Sequence, residues 1–263
     1  MLLGVLGLGW FVGYLDYVLL PAISFLLVFL VMRSGVVPSK PSRWGEDIMQ
    51  EQQEETRNNI VERLRRANLS PQEDAVRKAI LTVFAEEGKA PHVQELAHML
   101  RVSFTSVLQA CRTLATADLI VWQDDATRII SAYPFSGVPT AHQVQLAGRN
   151  PCYAMCAIDA LGIPFMLEQG ASIHAVCFFC HQPVSVGIEG GLLHRVSPST
   201  LVVWLSARDG CCRAEARCPL MNFFCDARHL QAWHATCLQE NGTSLSVVEA
   251  LDVGKAAFGA LLT

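Results

Sequence analysis

An α+β fold is predicted for this 263-residue chain: a winged-helix-like three-helix module, then a larger mixed α+β domain, preceded by an apolar segment long enough for a transmembrane helix. Three observations predict it. The first 32 residues carry a single formal charge, Asp16. Residues 70–134 hold three helical stretches with capping signals, then two short β-rich runs around Asp124-Asp125. Residues 135–263 mix apolar runs of strand length with two amphipathic helices near the end.

The apolar start accounts for much of a hydrophobic fraction of 51% and a mean hydropathy of +0.30. Fourteen Leu, Ile, Val or Phe residues between 10 and 32 favour insertion by about 6 kcal/mol in total, against a cost of about 3 for Asp16. Residues 1–33 are therefore expected to be a membrane anchor, with Trp10 and Tyr14 at the far interface and Pro21 as a kink. The nearby cations Arg33, Lys40 and Arg43 all follow the segment, which places the body of the protein in the cytoplasm, tethered to the inner membrane by residues 10–32. A soluble chain opening at Met49 is the alternative. Residues 34–69 read as a Pro- and Gly-containing linker followed by an exposed amphipathic helix.

The helical module comes next. Ser70-Pro71-Gln72-Glu73 combines an N-cap, a proline at the first helical position and a glutamate placed for a capping box. Val76, Ala79, Ile80, Val83 and Phe84 then recur at helical spacing until Gly88 stops the run. Residues 92–100 and 103–117 give two further helices, and 119–130 a small hairpin. Helix–turn–helix modules with a wing usually read DNA. Here the helix that would enter the groove offers only Arg112, and residues 70–134 hold six Lys or Arg against eight Asp or Glu. Phosphate neutralisation supplies most DNA affinity, so no nucleic-acid partner is expected. A net charge of −4 and a pI near 6.1 agree.

Residues 133–150 read as a connection into the second domain, 135–263. Within it, 153–167 reads as a buried helix, 173–176, 184–188 and 201–205 as strands, and 228–239 and 246–262 as helices.

Ten cysteines are the chemical signal, four of them between 152 and 180 and five between 211 and 237. A reducing compartment argues against disulfides and leaves metal or thiol chemistry. Cys156 and Asp159 sit three apart, on one face of the expected helix. Desolvation would raise the carboxyl's pKa and let it hold a proton for delivery. A small buried cysteine beside a helix-surface aspartate gives the same spacing, so spacing alone leaves both open. Cys218 precedes an apolar run of strand character, with Arg217 beside it to favour a thiolate. Two thiolates on separate elements are suited to a soft metal. Cys177-x-x-Cys180-His181 with Cys211-Cys212 is a candidate zinc set, though adjacent cysteines chelate a tetrahedral ion awkwardly.

These residues carry a resemblance. Tyr153-Ala154-x-Cys156-Ala157-Ile158-Asp159, Cys177 followed by Pro183-Val184-Ser185, and Cys218 ahead of Phe223-Phe224 resemble the alkylmercury lyase family. Trp233, Glu249-Ala250 and Gly254 fit the same pattern, as does the helical module, so the likeness covers roughly residues 70–262. It implies an organomercurial lyase of mercury resistance and detoxification, with Cys156, Asp159 and Cys218 catalytic and also holding the Hg(II) product. One thiolate attacks the mercury, the second completes a two-thiolate complex, and Asp159 protonates the carbon. No resident cofactor is implied; low-molecular-weight thiols or a mercuric reductase would collect the ion. Cys177 matches a cysteine taken as structural. The chain departs from the pattern at Pro219, where the best-known members have a second cysteine, and in its extra Cys152, Cys180, Cys211, Cys212, Cys225 and Cys237. The alternative function is a non-enzymatic metal-responsive regulator or mercury-binding protein, in which Asp159 has no role. A zinc-stabilised, membrane-anchored adaptor is a third.

Overall fold

The computed structural model describes residues 67–123, 128–207, 218–237, 241–259 and 262. The apolar segment, the linker, most of the amphipathic helix, the Asp124-Asp125 turn, Cys211, Cys212 and Arg217 lie outside them. Among the described residues no helix is long and apolar enough to cross a membrane.

Helix α1 (Pro71–Glu87) begins as its sequence dictates. The Ser70 hydroxyl accepts from Glu73 N, the Glu73 carboxylate accepts from Ser70 N at 2.8 Å, and Pro71 occupies the first turn. Gly88 ends it at φ 70°, and a Cβ there would run into the Pro151 carbonyl. Helix α2 (Val93–Leu100) stops at Arg101 in the left-handed region, and α3 (Phe104–Thr116) is capped by Ser103, whose hydroxyl accepts from Ser106 N at 3.1 Å. Ile80, Phe84, Leu96, Val107 and Leu114 bury the inner faces.

Strands β1 (Ile120–Gln123) and β2 (Arg128–Ala132) pair antiparallel after the three helices, in the predicted order. They are not a free-standing wing. Ser131 and Ala132 of β2 pair onward with β3 (Phe135–Ser136), which continues to β5 (Cys152–Ala154), β4 (His142–Leu146), β6 (Ala171–Val176), β7 (Pro183–Glu189) and β8 (Leu192–Ser197). The result is one eight-stranded antiparallel sheet, ordered β1-β2-β3-β5-β4-β6-β7-β8. Phe84 of α1 stacks on Phe135 with ring centroids 5.5 Å apart, and a continuous buried core runs from the helices through the sheet. The winged-helix expectation thus becomes a three-helix layer on the end of a larger sheet.

Helix α4 (Ala157–Met166) is buried on nearly every side and packs against α6 (Val247–Phe258). Two glycines set their separation: a Cβ on Gly254 would lie 2.9 Å from Gly162 N, and one on Gly162 would strike the Phe258 ring. A second sheet, β10-β9-β11, is built from β9 (Val202–Ser206), β10 (Phe223–Phe224) and β11 (Gly242–Ser246), with α5 (Ala227–His234) after β10. The single helix expected over 153–167 is in fact a strand ending at Ala154, then a helix starting at Ala157.

Candidate active site: two thiols and a carboxyl

Cys156 caps α4 rather than lying within it. Its backbone is extended (φ −154°), and its Sγ accepts from Asp159 N at 3.4 Å. The Cys-x-x-Asp spacing is thus an N-cap and third-position pair, and that geometry, not a shared helix face, puts the side chains together. Cys218 opens a 3₁₀ turn (Cys218–Leu220) ahead of β10. Ala157 N donates to Met221 O at 3.0 Å, so the backbone itself ties the start of α4 to that turn. Cys218 Sγ donates to Asp159 Oδ2 at 3.6 Å. The ligand atoms of Cys156, Asp159 and Cys218 all lie within 4.8 Å of one another, in a site where none of the three residues is more than 3% exposed.

Burial pushes the Cys156 thiol well above its ordinary value, and the neighbouring Cys218 and Asp159 add to this. For Cys218, a hydrogen bond with Cys156 pulls downward, but burial and the Asp159 carboxylate outweigh it and the net shift is upward. Arg217, expected to favour a thiolate at Cys218, lies outside the described residues. Besides Cys156, the Tyr133 side chain also bonds Cys218 in a thiolate-favouring sense.

Three residues near the thiols escaped the sequence reading. Asn222 Nδ2 donates to Pro219 O at 2.7 Å and holds the Cys218 turn closed. His142, inward-facing on β4 and 3% exposed, shares a 3.1 Å hydrogen bond between its Nε2 and Asn222 Oδ1. Burial lowers His142 to about 4, so the ring is neutral at pH 7 and Nε2 donates to the amide oxygen. Tyr133, at the end of the helical module, is the third. Only the alternation of His142, Val144 and Leu146 in a stretch read as a connection hinted at any of this.

The other cysteines divide. Cys111 and Cys152 are buried, pushed up by burial to about 12 and about 11, and act as small apolar groups. Cys177, expected to be structural, does not group with the candidate ligand His181. Its Sγ lies instead 3.7 Å from His229 Nδ1, in a group with Cys180 and Cys225. Burial raises the Cys177 thiol, but N–H donors from Cys180, Cys225 and Phe179 outweigh it and bring it down to about 7.

Two buried thiols flanking a carboxyl are an arrangement that could take a soft metal onto sulfur with a proton donor beside it. Residues 135–259 match the family described as alkylmercury lyase. Residues 1–34 match the family described as membrane transport protein MerF. An alkylmercury lyase of Staphylococcus epidermidis is 27% identical over 181 residues, covering 68% of this chain and 79% of the relative. Those of Bacillus cereus and Clostridium butyricum are each 28% identical over 119 residues, 45% of this chain and 53% of theirs. The crystal structure of the mercury-bound form of MerB2 shares the fold, with a TM-score of 0.68 and 23% identity, over 80% of this chain and all of that one.

Proposed function

We infer that this chain is an organomercurial lyase, cleaving carbon–mercury bonds by protonolysis to a hydrocarbon and Hg(II) in mercury detoxification. The observation that carries the reading is the convergence of Cys156, Asp159 and Cys218 within 4.8 Å.

Both thiols rest protonated, because burial disfavours their anions. A thiol-bound organomercurial, R–Hg–X, exchanges its ligand for one cysteine sulfur, and that cysteine's proton leaves with X. The second cysteine then adds its sulfur to the same mercury and passes its proton to Asp159. Two sulfur donors load electron density onto the metal-bound carbon. Asp159 delivers the proton there, the Hg–C bond breaks as the C–H bond forms, and Hg(II) stays on the two thiolates. The balance is R–Hg–X plus two thiols giving R–H, HX and a bis-thiolate mercury. Two external thiols reverse both sulfur–mercury bonds and restore the site; a mercuric reductase is a suitable final acceptor. The dry, apolar surroundings suit alkyl or aryl groups and strengthen the electrostatics of proton transfer.

The proposed division of labour follows the chain. Residues 135–263 carry the chemistry, and residues 70–134 support it, Tyr133 included. Arg112 is the one cation on α3, which supports a role without nucleic acid. The match of residues 1–34 to a membrane transport protein family supports a tether over residues 10–32, with the body on the cytoplasmic side.

The test incubates the full chain with phenylmercury and excess thiol and follows benzene by gas chromatography. Benzene from the wild type and none from Asp159→Ala is expected. Tight mercury retention with no hydrocarbon would instead make the chain a mercury-binding protein.

A further inference from the structure

Cys177, Cys180, Cys225 and His229 place one donor atom each within 4.8 Å of the other three, apart from the lyase triad. We propose that these four residues form a structural zinc site that fastens the segment carrying Cys218 to the eight-stranded sheet.

The distances suit a tetrahedral ion. With Zn–S near 2.3 Å, the edge between two thiolates of a tetrahedron is about 3.8 Å, and an S–N edge is slightly shorter. Cys180 Sγ and Cys225 Sγ are 3.8 Å apart, and Cys177 Sγ and His229 Nδ1 are 3.7 Å apart. A disulfide would need about 2.05 Å. Local structure holds the donors in place. Cys177 and Cys180 share a tight turn between β6 and β7: His181 N donates to Cys177 O, Cys177 N donates to Gln182 O, and His181 takes a φ of 59°. Cys225 N donates to Cys177 Sγ at 3.3 Å, a bond that favours sulfur as the anion a metal requires. Asp226, which follows Cys225, caps α5 by accepting from Arg228 N and His229 N, and so fixes the backbone that presents His229.

The spacing is Cys-x₂-Cys and Cys-x₃-His, within the range of structural zinc sites, and differs from the Cys177, Cys180, His181, Cys211, Cys212 set considered from sequence. Zinc takes up three thiols as thiolates and releases their protons, with neutral His229 as fourth ligand. Its two ligand pairs come from separate sheets: the β6–β7 turn and the β10–α5 junction. Phe178 N already donates to Phe223 O at 2.9 Å across that seam. The Cys218 turn precedes β10 directly, so the ion would keep Cys218 in reach of Cys156 without touching substrate.

The experiment is metal analysis of the full chain, purified under reducing conditions without a polyhistidine tag. Wild type and Cys156→Ser/Cys218→Ser are expected to hold about one zinc per chain, and Cys225→Ser/His229→Ala none. Replacing zinc in the wild type by Co(II) should give thiolate charge-transfer bands and the intense visible absorption of a tetrahedral ion, a readout that needs no variant to fold. Folded wild type without zinc or cobalt uptake would overturn the proposal. So would a Cys180–Cys225 disulfide found by mass spectrometry, or loss of zinc in the Cys156→Ser/Cys218→Ser chain while benzene release by wild type continues.

Discussion

The thiol of Cys218 donates to the carboxylate of Asp159 across 3.6 Å, though the two residues are 59 apart in the chain. The bond defines a route for one proton from sulfur to oxygen, and a mercury-bound carbon held by the two sulfurs would lie beside that oxygen. Asp159→Asn keeps the shape and removes the relay. Hydrocarbon release should fall by about two to four orders of magnitude, the usual worth of a positioned proton donor. Mercury should still bind, and single-turnover gas chromatography with mercury analysis of the same sample separates the two.

Mercury capture should accelerate with pH beyond the range in which an ordinary thiol levels off. Burial raises Cys156 and the net shift on Cys218 is also upward, so the thiolate fraction keeps growing above about pH 8.5, where free cysteine is half ionised. Stopped-flow capture of phenylmercury by Asp159→Asn, followed by thiolate-to-mercury absorbance from pH 7 to 10, should show no plateau near 8.5.

His142 should make the fold sensitive to acid. Its folded-state value is lowered to about 4 against about 6.5 unfolded, so its contribution is complete above pH 6.5 and is lost as pH falls through 4. The loss amounts to about 3 kcal/mol once both states are protonated. His142→Gln, which keeps a donor toward Asn222, should flatten the decline in urea midpoint between pH 7 and 4. An unchanged slope would assign the acid sensitivity elsewhere.

Gly254→Ala should destabilise the fold by about 1–3 kcal/mol, the usual cost of overpacking, because its methyl would meet Gly162 N and Ile158 O at 2.9 Å. Since α4 carries Cys156 at its cap, cleavage should slow as well. Val248→Ala on the same helix, 58% exposed, should change the stability measured by chemical denaturation by less than about 0.5 kcal/mol.

How much of this was legible beforehand depended on how local each signal is. Helix α1 was written out in full by Ser70, Pro71, Glu73 and Gly88, since capping acts within four residues. The convergence of Cys156, Asp159 and Cys218 follows from a feature that spacing does not reveal: Cys156 and Asp159 meet because one caps the helix and the other occupies its third position, not because they share a helix face. Strands β3, β4, β5, β8 and β11 were not legible as strands. Strand β8 is largely exposed, and Gly242-Thr243-Ser244-Leu245-Ser246 carries one large apolar side chain. The group Cys177, Cys180, Cys225 and His229 is only half legible in the sequence. Cys177 and Cys180 are close in sequence, whereas Cys225 and His229 reach them only through pairing of β10 with Phe178, and no local pattern encodes that.

The stacking of Phe84 on Phe135 bears on how this chain can be dissected. The stretch recognisable by family resemblance opens at residue 135, within the strand that this ring covers. A homology boundary therefore falls where there is no folding boundary. Excising the recognisable part would strip a face from its own hydrophobic interior and remove Tyr133 from Cys218, so the helices and the matched region should unfold as one cooperative unit.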